Sequence, residues 1–280
     1  MNLILPKRFG QDKPPVGAQI KWGHPLAQGL VGCWLFNEAA GGRAHDLSGR
    51  GNHGTLTEMA IPPTPDSGWN PGRTGIGLKF DNVNDYVNCG NNASLNAGIN
   101  DWSIGQWIKT GSSKEGNILA KGNGYRIKIT SENKIWVTIE GNDRLQNPMF
   151  IYGDGTHLYI TDTNNHRIVK RLASDLSFVD KVNSFASSLY SSILNAGFHH
   201  IQVNIKNYDI LELYIDGNSD SSTDISYKYH NYVSEESFKI GGYINFFNSL
   251  IDEVCIYNRA LLPQEVRSLY EAPYQFIIPQ

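Results

Sequence analysis

From Gly29 onward, apolar and polar positions alternate in short runs. Tyr125, Ile127 and Ile129 alternate with Arg126 and Lys128, and Ile135, Val137 and Ile139 with Trp136 and Thr138. Ile201, Val203 and Ile205 do the same against Gln202 and Asn204, and Leu211, Leu213 and Ile215 against Glu212 and Tyr214. A period of two sends successive side chains to opposite faces, and Gly, Asn or Asp bounds each run, so these are predicted to be half-buried antiparallel strands. Many short strands predict an all-β protein built as a two-sheet sandwich or barrel. One helix is predicted near the C-terminus. Pro263 opens its first turn, Glu265 occupies the dipole-favoured position, Val266, Leu269 and Tyr270 form an i, i+3, i+4 stripe, and Pro273 stops it. Residues 1–28 hold Pro6, Pro14, Pro15 and Pro25 with no periodicity, which excludes a helix or a central strand and predicts an extended arm. The order of such an arm must come from contacts. Leu3, Ile4, Leu5, Phe9, Val16, Ile20 and Trp22 are the candidates for binding a partner subunit.

Composition narrows the class. With 280 residues, 28 Gly, 12 Pro and 18% charged residues, disorder and helical bundles are excluded. A chain of this length buries about 75% of the surface its unfolded form exposes, so it needs no disulfide or zinc for stability. A net charge of -3 and a pI near 6.2 leave no basic stripe, which argues against nucleic acid as a partner. No window of the ~20 apolar residues that a membrane helix needs is present. The apolar run Leu3–Leu5 ends at Pro6, too short for a signal peptide, so synthesis in the cytoplasm without the usual export signal is expected. Cys33, Cys89 and Cys255 are odd in number and far apart, and buried free thiols are expected.

Catalytic patterns are missing from the sequence. A retaining glycosidase needs two carboxyl groups about 5–5.5 Å apart. Strand alternation puts Asp252 and Glu253 on opposite faces, and neither Glu235-Glu236 nor Asp81 with Asp85 has E-x-D-x-E spacing. G-x-S-x-G, a Walker loop and H-E-x-x-H are also absent, so a non-enzymatic protein is expected. His199 and His200 are adjacent on a strand, point to opposite faces and cannot chelate together.

Several blocks, in order, carry a resemblance. They are Gly32-Cys33-Trp34-Leu35-Phe36-Asn37-Glu38, the loop from Asp46 to Leu56, Gly77-Leu78-Lys79-Phe80-Asp81 and Asp85-Tyr86-Val87. Phe198-His199-His200-Ile201-Gln202-Val203, Leu213-Tyr214-Ile215-Asp216-Gly217 and the stretch from Leu250 to Leu261 continue the series. Together they resemble laminin-G-like domains of the concanavalin A-like jelly-roll superfamily. The resemblance implies a jelly roll over 29–142 and 197–272, followed by a tail at 273–280, that works by binding. Residues 143–196 stand where the family has a shorter connection. Within them Gly153-Asp154-Gly155 and the stretch from Leu158 to Lys170 resemble one NHL repeat, the blade unit of a β-propeller. A lone blade cannot close a ring, so an inserted β-meander packed on the jelly roll or on a neighbouring subunit is expected. An ordinary hairpin excursion is the alternative.

Two constellations are candidate sites. Asp252 shares the apolar face of Leu250, Val254 and Ile256, where a bare carboxylate costs several kcal/mol. The loop Asp46–Gly54 offers the Asp46 carboxylate, the Asn52 amide oxygen and freed carbonyls, an oxygen-rich set that suits Ca²⁺. The family resemblance points to a structural calcium held by Asp46, Asn52 and Asp252, with a metal-free network of Asp252 and backbone N–H groups as the alternative. Tyr243, Asn245, Phe246 and Phe247, beside Asn248, Trp69 and Tyr125, join aromatic faces to amides in a way that suits sugar rings, although edge and core packing explains them as well. The phrases from Gly23 to Trp34 and from Leu269 to Tyr274 resemble phage-encoded members of the family. The expected role is therefore a bacteriophage virion protein, a capsid decoration or a tail or fibre component, displayed on the virion surface, adhesive or glycan-binding, and partnered by other virion proteins or by its own copies as a homo-oligomer. A cellular carbohydrate-binding or adhesion module is the second reading, and a glycoside hydrolase or lyase the third.

Overall fold

The computed structural model describes residues 12–96, 101–111, 115–122, 124–140, 148–153, 157–162, 167–172, 186–207, 210–225 and 234–278. The first third of the chain forms β1 (Gln19–Ile20), β2 (Leu30–Trp34), β3 (Arg43–Ala44), β4 (Gly54–Thr57), β5 (Gly68–Pro71), β6 (Ile76–Lys79) and β7 (Tyr86–Asn88). The middle forms β8 (Trp102–Thr110), β9 (Gly116–Lys121), β10 (Tyr125–Ile129), β11 (Lys134–Glu140), β12 (Pro148–Gly153), β13 (His157–Asp162), β14 (Arg167–Leu172) and β15 (Ala186–Ile193). The remainder forms β16 (Gly197–Lys206), β17 (Ile210–Ile215), β18 (Asn218–Asp224), β19 (Phe238–Ile240), β20 (Leu250–Tyr257), the helix α1 (Pro263–Glu271) and β21 (Ile277–Ile278).

Two large antiparallel sheets make the predicted sandwich. Sheet I runs β15-β11-β10-β9-β19-β7-β4-β3, and sheet II runs β18-β17-β16-β8-β20-β6-β5 with β2 also paired to β20. Between them lies one core, to which sheet I gives Leu119, Ile127 and Val137 and sheet II gives Ile104, Val203 and Val254. Each such side chain contributes about 1.5–3 kcal/mol by leaving water.

The polar half of the alternation has a different fate on each sheet. On sheet I, Arg126 and Lys128 stay partly exposed, as a half-buried strand requires. On sheet II, Gln202 and Asn204 are fully buried. A second core covers that outer face, where Ala18, Ile20, Leu26, Val266, Leu269 and Phe276 pack on Tyr214 and Tyr257. The buried amides find partners, Asn204 Nδ2 donating to the Leu261 carbonyl at 3.0 Å and Gln202 Nε2 to Asn204 Oδ1 at 3.3 Å. Helix α1 forms as predicted. The Glu265 carboxylate accepts from the Leu262 N–H at 2.8 Å and pairs with Arg259 at 2.7 Å, while Val266 and Leu269 face the second core.

Residues 12–28 do not extend as the partner-binding arm expected but pack on their own domain. Gln19 pairs with Ile278 and Ile20 with Ile277; the Lys21 N–H donates to the Phe276 carbonyl at 2.8 Å, and Asn37 Nδ2 donates to the Pro14 carbonyl at 2.8 Å. The prolines misdirect because they punctuate this layer without disrupting it. Pro14 and Pro15 precede β1, and Pro25 opens a 3₁₀ turn whose lost N–H is not needed. The jelly roll's outer layer thus starts well before Gly29. Trp22 does stay 51% exposed and Val16 59%, whereas Leu3, Ile4, Leu5 and Phe9 lie outside the described residues.

Strands β12, β13 and β14 make a separate three-stranded antiparallel sheet, with Ile151 opposite Ile160 and Ile160 opposite Val169. The three strands pair in chain order, and residues 154–156 and 163–166 fall outside the described residues. Its C-terminal boundary moves. β15 is a strand of sheet I, with Leu189 opposite Val137 and both in the core, so the insertion ends before residue 186 and not at 196. Ile20→Ala should lower stability by about 2–4 kcal/mol, read from the urea midpoint, while Trp22→Ala should stay within about 0.5 kcal/mol. Equal midpoints for Ile20→Ala and the unaltered chain would show that the N-terminal layer adds nothing to the fold.

Candidate functional site

The outward face of sheet I gathers rings and cations. Lys128, Trp136 and Tyr190 are direct neighbours across β10, β11 and β15, and alternation turns all three away from the core residues Ile127, Val137 and Leu189. Lys128 Nζ lies 3.7 Å from the centroid of the Trp136 ring. Tyr190 stacks on Trp136 with centroids 5.9 Å apart and planes 10° apart. Trp136 is therefore sandwiched, while Tyr190, on the edge strand, remains 52% exposed. Glu115 meets Lys128 at 2.6 Å. Arg126 shares the outward side of β10 with Lys128. Farther across the sheet, Lys239 Nζ lies 5.0 Å from the Tyr86 ring and 5.7 Å from the Tyr243 ring. Phe246 leans on Tyr86 at 6.4 Å, and the Tyr243 hydroxyl donates to Glu236 Oε1 at 2.9 Å.

Three of the residues expected from the sequence to form a sugar site lie near this face. Tyr243, Asn245 and Phe246 sit beside it in the loop between β19 and β20, with Asn245 exposed. Phe247 does not belong there. It is fully buried, packs on Phe80 at 6.2 Å, and its N–H donates to the Gly241 carbonyl at 2.8 Å. The reason is local pairing, since Phe246 bridges Asn117 of β9 and the next residue must point the opposite way. Trp69 and Tyr125 are also core residues, satisfied by the Gly41 and Leu95 carbonyls at 2.8 Å each. Lys128, Trp136 and Tyr190 were not singled out in the sequence. Their signal was present as the polar half of recognised alternation, but β11 and β15 pair across the insertion, so the sequence does not show that they meet.

The two carboxylates expected to hold calcium have other partners, while Asn52 Oδ1 is buried with no hydrogen-bond partner among the described residues. The Asp46 carboxylate accepts from the Cys33, Ser48 and Asn52 N–H groups and from the Ser48 hydroxyl, all at 2.8–3.0 Å. Asn52 Nδ2 donates to the Val31 carbonyl at 2.9 Å. Asp252 accepts from Lys13 Nζ and from the Arg73 N–H at 2.8 Å. Among the described residues the two carboxylates have no hydrogen-bond partner in common. Calcium asks for about six to eight oxygens, and here N–H donors and an ammonium occupy both carboxylates, so the residues do not fit an ion shared by Asp46, Asn52 and Asp252. Among the described residues no three His, Cys, Asp or Glu side chains group as metal ligands. The burial cost of Asp252 is met instead by a counter-charge and backbone donors. Glycine at position 72 permits this, because a Cβ there would strike Asp252 Oδ2.

Glu253 also departs from the alternation. The pairing of β20 with β8 slips between Asp252 and Val254, and Glu253 has φ 33°. This β-bulge cancels one step of the period. Both carboxylates consequently meet Lys13, with its Nζ 3.9 Å from Glu253 Oε2, in place of the opposite faces expected. The Tyr274 hydroxyl donates to Glu253 Oε2 at 2.6 Å. Burial, then the Asp252 charge, pushes Glu253 up to about 8. Two neighbouring carboxyls, one kept protonated, resemble the chemistry of a glycosidase pair, but both are buried behind sheet II, with Asp252 fully enclosed. The adjoining cavity is small and is lined by Trp107, His200, Gln202, Glu253 and Cys255. No sugar ring fits.

Comparison with known proteins agrees with the architecture. Residues 146–267 match the profile of the concanavalin A-like lectin/glucanases superfamily. No curated protein sequence matches the chain. The binding domain of Paraclostridial Mosquitocidal Protein 1 is similar in structure, with 17% identity and a TM-score of 0.57 over 88% of this chain and 52% of that one. The Botulinum neurotoxin serotype D ligand binding domain in complex with N-acetylneuraminic acid gives 13% and 0.57 over 88% and 51%. Domain 4 of AbnA, a GH43 extracellular arabinanase from Geobacillus stearothermophilus, in complex with arabinotriose, gives 17% and 0.51 over 86% and 98%. The chain spans about half the length of the toxin binding domains it matches. Its fold is the concanavalin A-like jelly roll.

Two buried groups behind sheet II should mark the pH dependence of stability with opposite signs. Glu253 holds its proton to about 8 in the fold against an ordinary 4.5, so its contribution is full below pH 4.5 and is lost as pH rises toward 8. Burial lowers His200 from 6.5 to about 4, so its contribution is present above pH 6.5 and is lost as pH falls toward 4. Melting curves between these limits should show Glu253→Gln removing much of the alkaline decline while leaving the acid limb in place. A Glu253→Gln profile parallel to that of the unaltered protein would mean that Glu253 is ionised in the fold.

Proposed function

We propose that the protein is a non-enzymatic glycan-binding protein displayed on a bacteriophage particle, as a capsid decoration or a tail or fibre component, with its ligand on the outward face of sheet I. The row Lys128, Trp136 and Tyr190 carries this reading. Its rings sit on hydrogen-bonded strands, so their geometry is set before any ligand arrives. Tyr190 offers an apolar ring face to sugar C–H groups, and Arg126, Lys128 and Lys239 supply donors for hydroxyls or carboxylates. Two proteins of similar fold carry sugars, N-acetylneuraminic acid in one and arabinotriose in the other, which lends support without naming a ligand for this chain.

The particle location draws support from the phrases Gly23–Trp34 and Leu269–Tyr274, which resemble phage-encoded members of the family. The protein is then made in the host cytoplasm and shown on the virion surface. The meander β12–β14, taken as an NHL-like blade, is suited to contacts with other virion proteins or with further copies of the chain. A cellular carbohydrate-binding module is the second reading, favoured by the 98% coverage of the arabinanase domain. Copurification with capsids separates the two, since a free module would not sediment with particles. On a glycan array the intact protein should bind, and Tyr190→Ala or Trp136→Ala should each weaken the best signal roughly three- to tenfold. Full binding by the Trp136→Ala, Tyr190→Ala double variant would move the site off sheet I.

A further inference from the structure

Cys33 of β2 and Cys255 of β20 are direct cross-strand partners. The Cys33 N–H donates to Asp46 Oδ1 at 3.0 Å, and its carbonyl accepts from the Leu47 N–H at 2.8 Å. Both backbone groups of Cys33 are thus engaged on the side away from β20. Toward Cys255 the pair is the narrow, non-hydrogen-bonded kind, whose Cα atoms stand about 4.5 Å apart. That spacing lies inside the window of about 4.4–6.8 Å that disulfides span. The two Sγ atoms are 3.4 Å apart, so side-chain rotation closes the gap to the bond length of about 2.05 Å without moving a strand. Cys89 has no such neighbour. It lies in the core between the sheets, whereas Cys33 and Cys255 pack in the second core behind sheet II.

We infer that Cys33 and Cys255 are a redox pair that closes into an intramolecular disulfide under oxidising conditions, while Cys89 stays a thiol. Cys255 is the point of entry, being only partly buried and lining the small cavity behind sheet II. Cys33 is fully buried, and the contact with Cys255, followed by burial, holds its thiol protonated. With a small-molecule disulfide such as oxidised glutathione as the oxidant, Cys255 loses its proton and attacks one donor sulfur, expelling a glutathione thiolate. Cys33 then loses its proton and attacks the Cys255 sulfur, expelling the second. Two protein thiols give up two electrons and two protons, and the donor leaves as two thiols. The bond would join partners 222 residues apart, tying β2 and the N-terminal layer to the middle of sheet II. A staple across so long a loop constrains the unfolded chain strongly.

The full-length protein, unfolded and refolded either in reductant or in oxidised glutathione, tests the pair whatever the ligand of sheet I is. Oxidised protein should lose two hydrogens in mass, yield a Cys33–Cys255 peptide and leave Cys89 as its one alkylatable thiol. Its melting temperature should rise by roughly 5–10 °C over the reduced form. Cys33→Ser and Cys255→Ser should each lose both the bridge and that rise, and Cys89→Ser should keep both. All three thiols still alkylatable after oxidative refolding, a bridge through Cys89, or a glutathione adduct on Cys255 with no cross-link would each overturn the pairing.

Discussion

Asp252 is fully buried on β20, and its charge is tolerated there because Lys13, 239 residues earlier in the chain, reaches it. Removing one partner of such a pair leaves a bare charge in the interior, a loss of about 3–5 kcal/mol. The pair therefore constrains the N-terminal layer as much as any apolar contact does. With Lys13 in place, the following residues must run along sheet II, where Ile20 joins the strand pair with Ile277 and Ala18 enters the second core. The bulge at Glu253 belongs to the same constraint, because it turns a second carboxyl toward the same ammonium. A neutral Glu253, accepting from Tyr274, lets one lysine serve two acids without leaving a net charge inside.

Much of this was legible beforehand. Alternation around Ile127, Val137 and Val203 identified core-facing positions, and Pro263 and Glu265 marked the helix start. What escaped was whatever depends on the fate of the polar half-period. Arg126 and Gln202 occupy equivalent places in their strands, yet one is partly open and the other fully buried. The difference lies in what is laid over each sheet, and no local period encodes that. The bulge is a second blind spot, since a residue inserted into β20 leaves its composition unchanged while inverting the facing of its neighbours. Phe246 and Phe247 show the reverse case, in which a loop that looked irregular obeys alternation because it bridges β9.

The two faces of the sandwich have consequently become specialised. Behind sheet II the second core covers much of the strand surface and leaves a small cavity, with Cys255 in its wall and Cys33 beside Cys255. In front of sheet I, among the described residues, no layer intervenes over Trp136 and Tyr190, and rings and cations share that surface. Packing is thus concentrated on one side, and a surface of rings and cations lies on the other.

The pairing of β1 with β21 brings the entry and the exit of the domain together, as antiparallel neighbours at the edge of the second core. A tether joined at either end would grip the molecule from behind, at a single attachment patch on the side of sheet II. Many copies fixed in that way on a curved support would form a layer whose outermost surface is sheet I. Weak single contacts could then add across the layer, since effective concentration grows with the number of sites that can engage at once.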